Sequence, residues 1–264
     1  MTTIPNDLSE ILEARILSLT CFPVQLQLLE ELSDLLSRDE RDPHRLTSIV
    51  KRDIGLSARL YKHALEQGAT PLNHFQLVSF VKDDLPRIVA DKQIKLLAID
   101  TPMLGFSLAS MSARALKAAI LSQNVAEKEL QDSAPHAYFA GYLHEIGLYA
   151  LCAASLNNKK PDSDRRAIFS NEQALRAGTL LLKSWKAAPL LVEAIACQLD
   201  PQSMSDSELS LAAILNLATS VVAAEDSPEA LQSLLKVVLF EKIGRKDLVE
   251  STKLWVYSTF KQGI

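Results

Sequence analysis

The side chains best equipped for chemistry are an adjacent histidine and carboxylate, His144 and Glu145, within the apolar run AYFAGYLHEIGLYAL at residues 137–151. An imidazole nitrogen and a carboxylate oxygen both ligate divalent cations. A bound cation would polarise a phosphoryl group or generate hydroxide. A catalytic zinc takes about three protein ligands, so two neighbours need help from other helices. The structural alternative is a core histidine whose ring nitrogen bonds to a neighbour, with Glu145 at a helix edge. The start of an HExxH motif fails, because Leu148 stands where the second histidine is needed. There is no GxxxxGK[ST] or GxGxxG to cradle phosphate, and no GxSxG nucleophile elbow. Three widely spaced cysteines (Cys21, Cys152 and Cys197) with no CxxC pair read as reduced thiols.

The elements that must position this pair read as helices almost throughout. Apolar residues recur at helical spacing, as in Leu28, Leu29, Leu32, Leu35 and Leu36. Start signals punctuate the chain. Asp42-Pro43 joins an N-cap to a proline in the first turn, and Asp53, Asn73 and Asp84 stand as caps. The helix after Asp53 stops near Gly68. Thr101-Pro102 opens an alanine-rich helix through Ile120, in which Ala109, Ala113 and Ala118 allow close packing. Ser133 starts a helix through Leu151 that carries the His-Glu pair. Ser170 and Gln173 fit a capping box. Further helices begin at Pro189, Asp206 and Ser227-Pro228. No strand-like alternation or fixed-period repeat stands out. The polar segment from Leu156 to Ser170 reads as a loop.

Composition sets outer limits. Of 264 residues, 48% are hydrophobic and 23% charged, which suits a globular chain with a sizeable core. Only 8 glycines favour long helices over many tight turns. A net charge of −4 without a basic patch disfavours nucleic-acid binding. No apolar run approaches membrane-spanning length, and the first residues do not form a signal peptide, so the expected location is the cytoplasm.

The segment AYFAGYLHEIG resembles the AFLAGLLHDIG pattern of the HDOD family, output-domain relatives of the HD metal-dependent phosphohydrolases. Three flanking segments agree. Asp53-Ile-Gly-Leu-Ser-Ala-Arg-Leu60 is similar to the family's D-P-x-L-T-A-R-L. Phe22-Pro23 and the helix after it look like its start. Ala177-Gly178 through Trp185, Pro189 and Ile195 look like its G-x-x-L-x-x-x-W-x-x-P-x-x-x-x-x-A-I. The resemblance spans about Thr20 to Val222 and implies an all-α fold. That fold is a two-lobed helical bundle, with one lobe over 1–100 and a degenerate HD-like lobe over 101–226. Apolar helices over 227–264 would pack on the second lobe.

The same resemblance implies a depleted metal site. The first histidine of true HD hydrolases falls near Phe106, and the His-Asp pair becomes His144-Glu145. The histidines that HDOD members often carry after A-I fall near Cys197 and Gln198, and the late aspartate falls on Thr219. His144, Glu145, Gln198, Phe106 and Thr219 would line a vestigial pocket with no resident metal or cofactor. The function implied is a non-catalytic bacterial signalling module that acts through a protein partner or a small ligand, with a homodimer as one form. The alternative is an HD-type phosphohydrolase with an atypical ligand set.

Overall fold

A computed structural model describes residues 8–99, 107–130, 134–155, 169–199 and 210–224. Phe106, the Thr101-Pro102 start, Ser133, most of the polar 156–170 segment, Asp206 and everything from Ser227 onward lie outside them. The described chain is all-α, as the sequence implied. Its contacts divide into two units that alternate along the sequence. One comprises Met1–Ala113 and Glu145–Ala187, the other Arg114–His144 and Ala188–Ile264. The division expected from sequence was instead contiguous, at residue 100.

The first unit holds α1 (Glu10–Leu17), α2 (Leu26–Ser37), α3 (Pro43–Val50), α4 (Ile54–Glu66), α5 (His74–Val81), α6 (Leu85–Val89) and α7 (Lys92–Leu96). It also holds α10 (Ile146–Ser155) and α11 (Asn171–Ser184). Between Ala113 and Arg114 the helix α8 (Leu108–Glu129) passes from this unit into the second. Residues such as Leu32, Leu46, Ile54 and Leu60 are fully buried, which is what their helical spacing demanded.

The caps read from sequence are mostly realised. Asp42 accepts from the His44 and Arg45 amides, with Pro43 in the first turn. Asn73 accepts from Gln76 N. Ser170 and Gln173 form both bonds of the capping box. Asp53 does double duty: its Oδ1 accepts from Leu56 N at 2.7 Å, and its Oδ2 from Gln25 N at 2.6 Å. The second bond ties the entry of α2 to the start of α4. Gly55 permits this approach, since a Cβ there would lie 2.0 Å from the Pro23 carbonyl oxygen. Ser112, at the start of α8, adds its Oγ as acceptor for Ile54 N at 3.1 Å.

Several expectations need correction. Asp84 does not cap a helix through its side chain. Its carboxylate instead faces His63 Nε2 at 2.8 Å. Beyond it the chain forms two short helices, because the Asp91 side chain accepts from Gln93 N and restarts the chain as α7. A short strand pair was not foreseen. β1 (Val24–Gln25) and β2 (Ala98–Ile99) run parallel, pairing Val24 with Ala98 and Gln25 with Ile99. Two residues per strand are too few for alternation to register in sequence. Ala109 and Ala113 face outward rather than into a helix contact, whereas Ala118 is buried.

Three helix ends share one C-terminal geometry. After α4, Gly68 takes φ +79°; Gly68 N bonds to Leu65 O and Ala69 N to Ala64 O. This is the Schellman arrangement in its usual residue. After α2 and α11 the same left-handed position is held by Asp39 and Lys186, each at φ +57°. An L-residue there bears a steric cost that glycine avoids.

Candidate functional site

The His-Glu pair does not lie within a helix. One helix was expected from Ser133 to Leu151; the structure has two, α9 (Ala134–Leu143) and α10. His144 and Glu145 form the turn between them. His144 Nδ1 lies 2.7 Å from Gly141 O. A carbonyl only accepts, so Nδ1 carries the proton and Nε2 holds the lone pair in the neutral ring. The imidazole thereby satisfies a carbonyl at the end of α9, where helix carbonyls lack backbone partners. On the other side, Glu145 O accepts from Leu148 N at 3.0 Å and Tyr149 N at 3.3 Å. Glu145 is thus the residue that leads into α10, where the helix dipole favours a carboxylate. The residue types suit a helix junction as well as they suit a metal.

The glycines of the same motif also have packing roles. In the second unit, a Cβ on Gly141 would stand 2.5 Å from Ala118 O and 2.6 Å from Ala119 Cα of α8. In the first unit, a Cβ on Gly147 would stand 1.7 Å from Ala174 O and 2.6 Å from Gly178 N of α11. Each glycine lets two helix backbones meet directly. Gly141, three before His144, and Gly147, two after Glu145, therefore seat the helices on either side of the pair.

Within the second unit, His144 is joined to two buried carboxamides. Gln198 follows α12 (Pro189–Ala196), and Asn216 lies on α13 (Leu211–Ala223), whose N-cap is Ser210. Gln198 Nε2 donates to His144 O at 3.2 Å, and Asn216 Nδ2 donates to Gln198 O at 2.6 Å. Gln198 and Asn216 are only 6% and 5% exposed, so neither group has bulk water as a ready substitute. Asn216 Oδ1 is buried and has no hydrogen-bond partner among the described residues.

The other sequence candidates scatter. Thr219 turns its Oγ1 back to Leu215 O at 2.9 Å and Asn216 O at 3.2 Å on its own helix. Cys197 is a free, half-buried thiol at the end of α12. Asn216 was missed, because one asparagine in an apolar helix carries no motif and its value lies in a distant partner. Among the described residues no group of three or more His, Cys, Asp or Glu gathers to hold a metal ion. The groups bonded around His144 O and Gln198 O are amide N–H donors, which repel a cation.

Buried titratable groups lie elsewhere. In the first unit, His74 is buried, 2.9 Å from Ser57 Oγ through Nε2; burial and the nearby Lys51 push its pKa down to about 3. Asp53 is pushed up to about 6 by burial, against the pull of its backbone donors. Burial also raises the Cys152 thiol, to about 12, so it is no nucleophile near neutrality.

Comparison with known proteins adds the fold and a family match over part of the chain. The crystal structure of the MmoQ response regulator from Methylococcus capsulatus superposes with a TM-score of 0.64 at 15% identity, covering 86% of this chain and 96% of that one. This is a shared fold. A crystal structure from Shewanella amazonensis, described as that of a candidate phosphohydrolase, covers 96% of this chain and 98% of its own at 23% identity. Its TM-score of 0.47 is too low to carry an argument. No curated protein matches. The HDOD domain matches residues 84–201, a span holding the His144–Glu145 turn and Gln198 but ending before Asn216 and Thr219. That match agrees with the HDOD resemblance carried by the motifs of the chain.

Proposed function

We propose that this protein is a non-catalytic HDOD-type regulatory module, which works in bacterial signalling by binding a protein partner or a small ligand. The observation that carries the reading is the ligand set. His144 has one carboxamide donor, Gln198, at its main-chain carbonyl, and no third ligating side chain gathers with the pair among the described residues. Metal-dependent phosphoester hydrolysis needs a cation to polarise the phosphoryl group and supply hydroxide, and two neighbouring side chains are a poor grip for one. The shared fold with a protein called a response regulator is consistent with a signalling setting. No helix among the described residues is long and apolar enough to cross a membrane, which accords with action in the cytoplasm. The acidic balance speaks against a nucleic-acid partner.

One observation favours the alternative, an HD-type phosphohydrolase. His144 donates Nδ1–H to a carbonyl and presents Nε2 as a lone pair, the usual setting of a metal-bound histidine. Elemental analysis of the purified protein, with hydrolysis assays on phosphomonoesters, phosphodiesters and nucleotides in added manganese, separates the two. The regulatory reading expects substoichiometric metal and no turnover. Metal-dependent turnover abolished by His144→Ala in a protein that still folds refutes it.

A further inference from the structure

The two buried carboxamides close three helices of the second unit on one another, and their bonds share one geometry. His144 O is a carbonyl just past the end of α9, and Gln198 O is one just past the end of α12. Such carbonyls have no partner in their own helix and, when buried, require one from elsewhere. Gln198 Nε2 serves the first at 3.2 Å, and Asn216 Nδ2 serves the second at 2.6 Å from the middle of α13. Each helix end is thus bonded by a side chain on, or just past, another helix of the same unit. The direction of the bonding is also informative. Asn216 Oδ1 is buried without a partner among the described residues, a cost an apolar side chain would not incur. Among the described residues, the side-chain bond of Asn216 runs through its N–H.

We propose that the Gln198–Asn216 carboxamide ladder locks the ends of α9 and α12 to each other and to the middle of α13, performing the cross-linking that a bound cation would otherwise perform. This rests on the metal-free reading of His144 above, and it adds that the site's polar groups are spent on holding the fold. Both amides are neutral, so the lock needs no ion and is insensitive to chelators. It places His144 by its main chain and leaves the ring to its own bond with Gly141 O.

The test uses the full chain. Treatment of the wild-type protein with EDTA and with phenanthroline should leave its Tm unchanged. The side-chain amide protons of Gln198 and Asn216 should exchange slowly with solvent, a readout that needs no variant. Gln198→Met keeps length and burial but removes the donor. It should lower Tm by about 3 °C or more and speed amide exchange in the last turn of α9. Asn216→Asp removes the donor at neutral pH and regains an O–H donor when protonated. Its deficit in Tm relative to wild type should shrink on acidification. If chelation lowers the wild-type Tm, a cation does the cross-linking, and both this proposal and the metal-free function fall. If chelation has no effect but the side-chain amides exchange freely, or Gln198→Met leaves Tm and α9 exchange unaltered, the ladder alone is overturned.

Discussion

Acid should weaken the first unit through one imidazole, His74. This residue is 2% exposed and its pKa is depressed from 6.5 to about 3, first by burial and then by the Lys51 ammonium. Between those values the unfolded chain takes up a proton that the folded chain refuses. The neutral ring's contribution to stability is therefore complete above pH 6.5 and is lost progressively as pH falls below it. At about pH 5 the loss comes to about 2 kcal/mol. Asp53 acts in the opposite sense. Its carboxyl, raised to about 6, holds a proton more tightly when folded, so its contribution declines as pH rises from about 4 to about 6. At about pH 5 it returns about 1 kcal/mol, so the wild-type curve alone conceals the histidine. The informative quantity is the difference between wild type and His74→Gln, which keeps a polar atom near Ser57 Oγ but does not titrate. Asp53 is common to both and cancels. Urea unfolding followed by circular dichroism at about pH 8 and about pH 5 should show wild type losing about 2 kcal/mol more than the variant. Equal losses in the two proteins, or a His74 ring signal titrating near 6.5 in the folded state, would refute the argument.

Three further outcomes follow from backbone geometry and burial. Gly147→Ala places a methyl 1.7 Å from Ala174 O, so α10 and α11 must part; a loss above about 3 kcal/mol in chemical denaturation is expected, despite alanine's better helix propensity. Lys186→Gly relieves a left-handed residue after α11 and should raise stability by about 1 kcal/mol, with Asp39→Gly doing the same after α2. A lower Tm in both variants would mean that these side chains do more than fill a turn. Direct titration of the Asp53 carboxyl by carbon NMR should give a midpoint near 6, and a midpoint below 4 would show that the Gln25 and Leu56 amides outweigh burial.

Local signals in the sequence were enough for the helices and most of their starts. Asp42, Asp53, Asn73 and Ser170 cap because a short polar side chain reaches an amide two or three residues on, an interaction complete within one turn. The family resemblance was legible for a related reason: its motif couples a His-acid pair to glycines at fixed spacing, and both glycines prove to be points of backbone contact. Tertiary structure decided the rest. The break at His144–Glu145 was hidden because the apolar pattern runs straight through it; it depends on the bond from the imidazole to Gly141 O and on the seating of Gly141 and Gly147 against different helices. Asp84 looked like a cap until His63, 21 residues away, claimed its carboxylate. Gln198 and Asn216 could not be paired from sequence, since a carboxamide's partner is chosen by where two helix ends meet and not by spacing along the chain. Propensity and capping act over a few residues and are written in the order of the residues. Satisfying a buried carbonyl at a helix end depends on which element folds over it, and only the folded chain determines that.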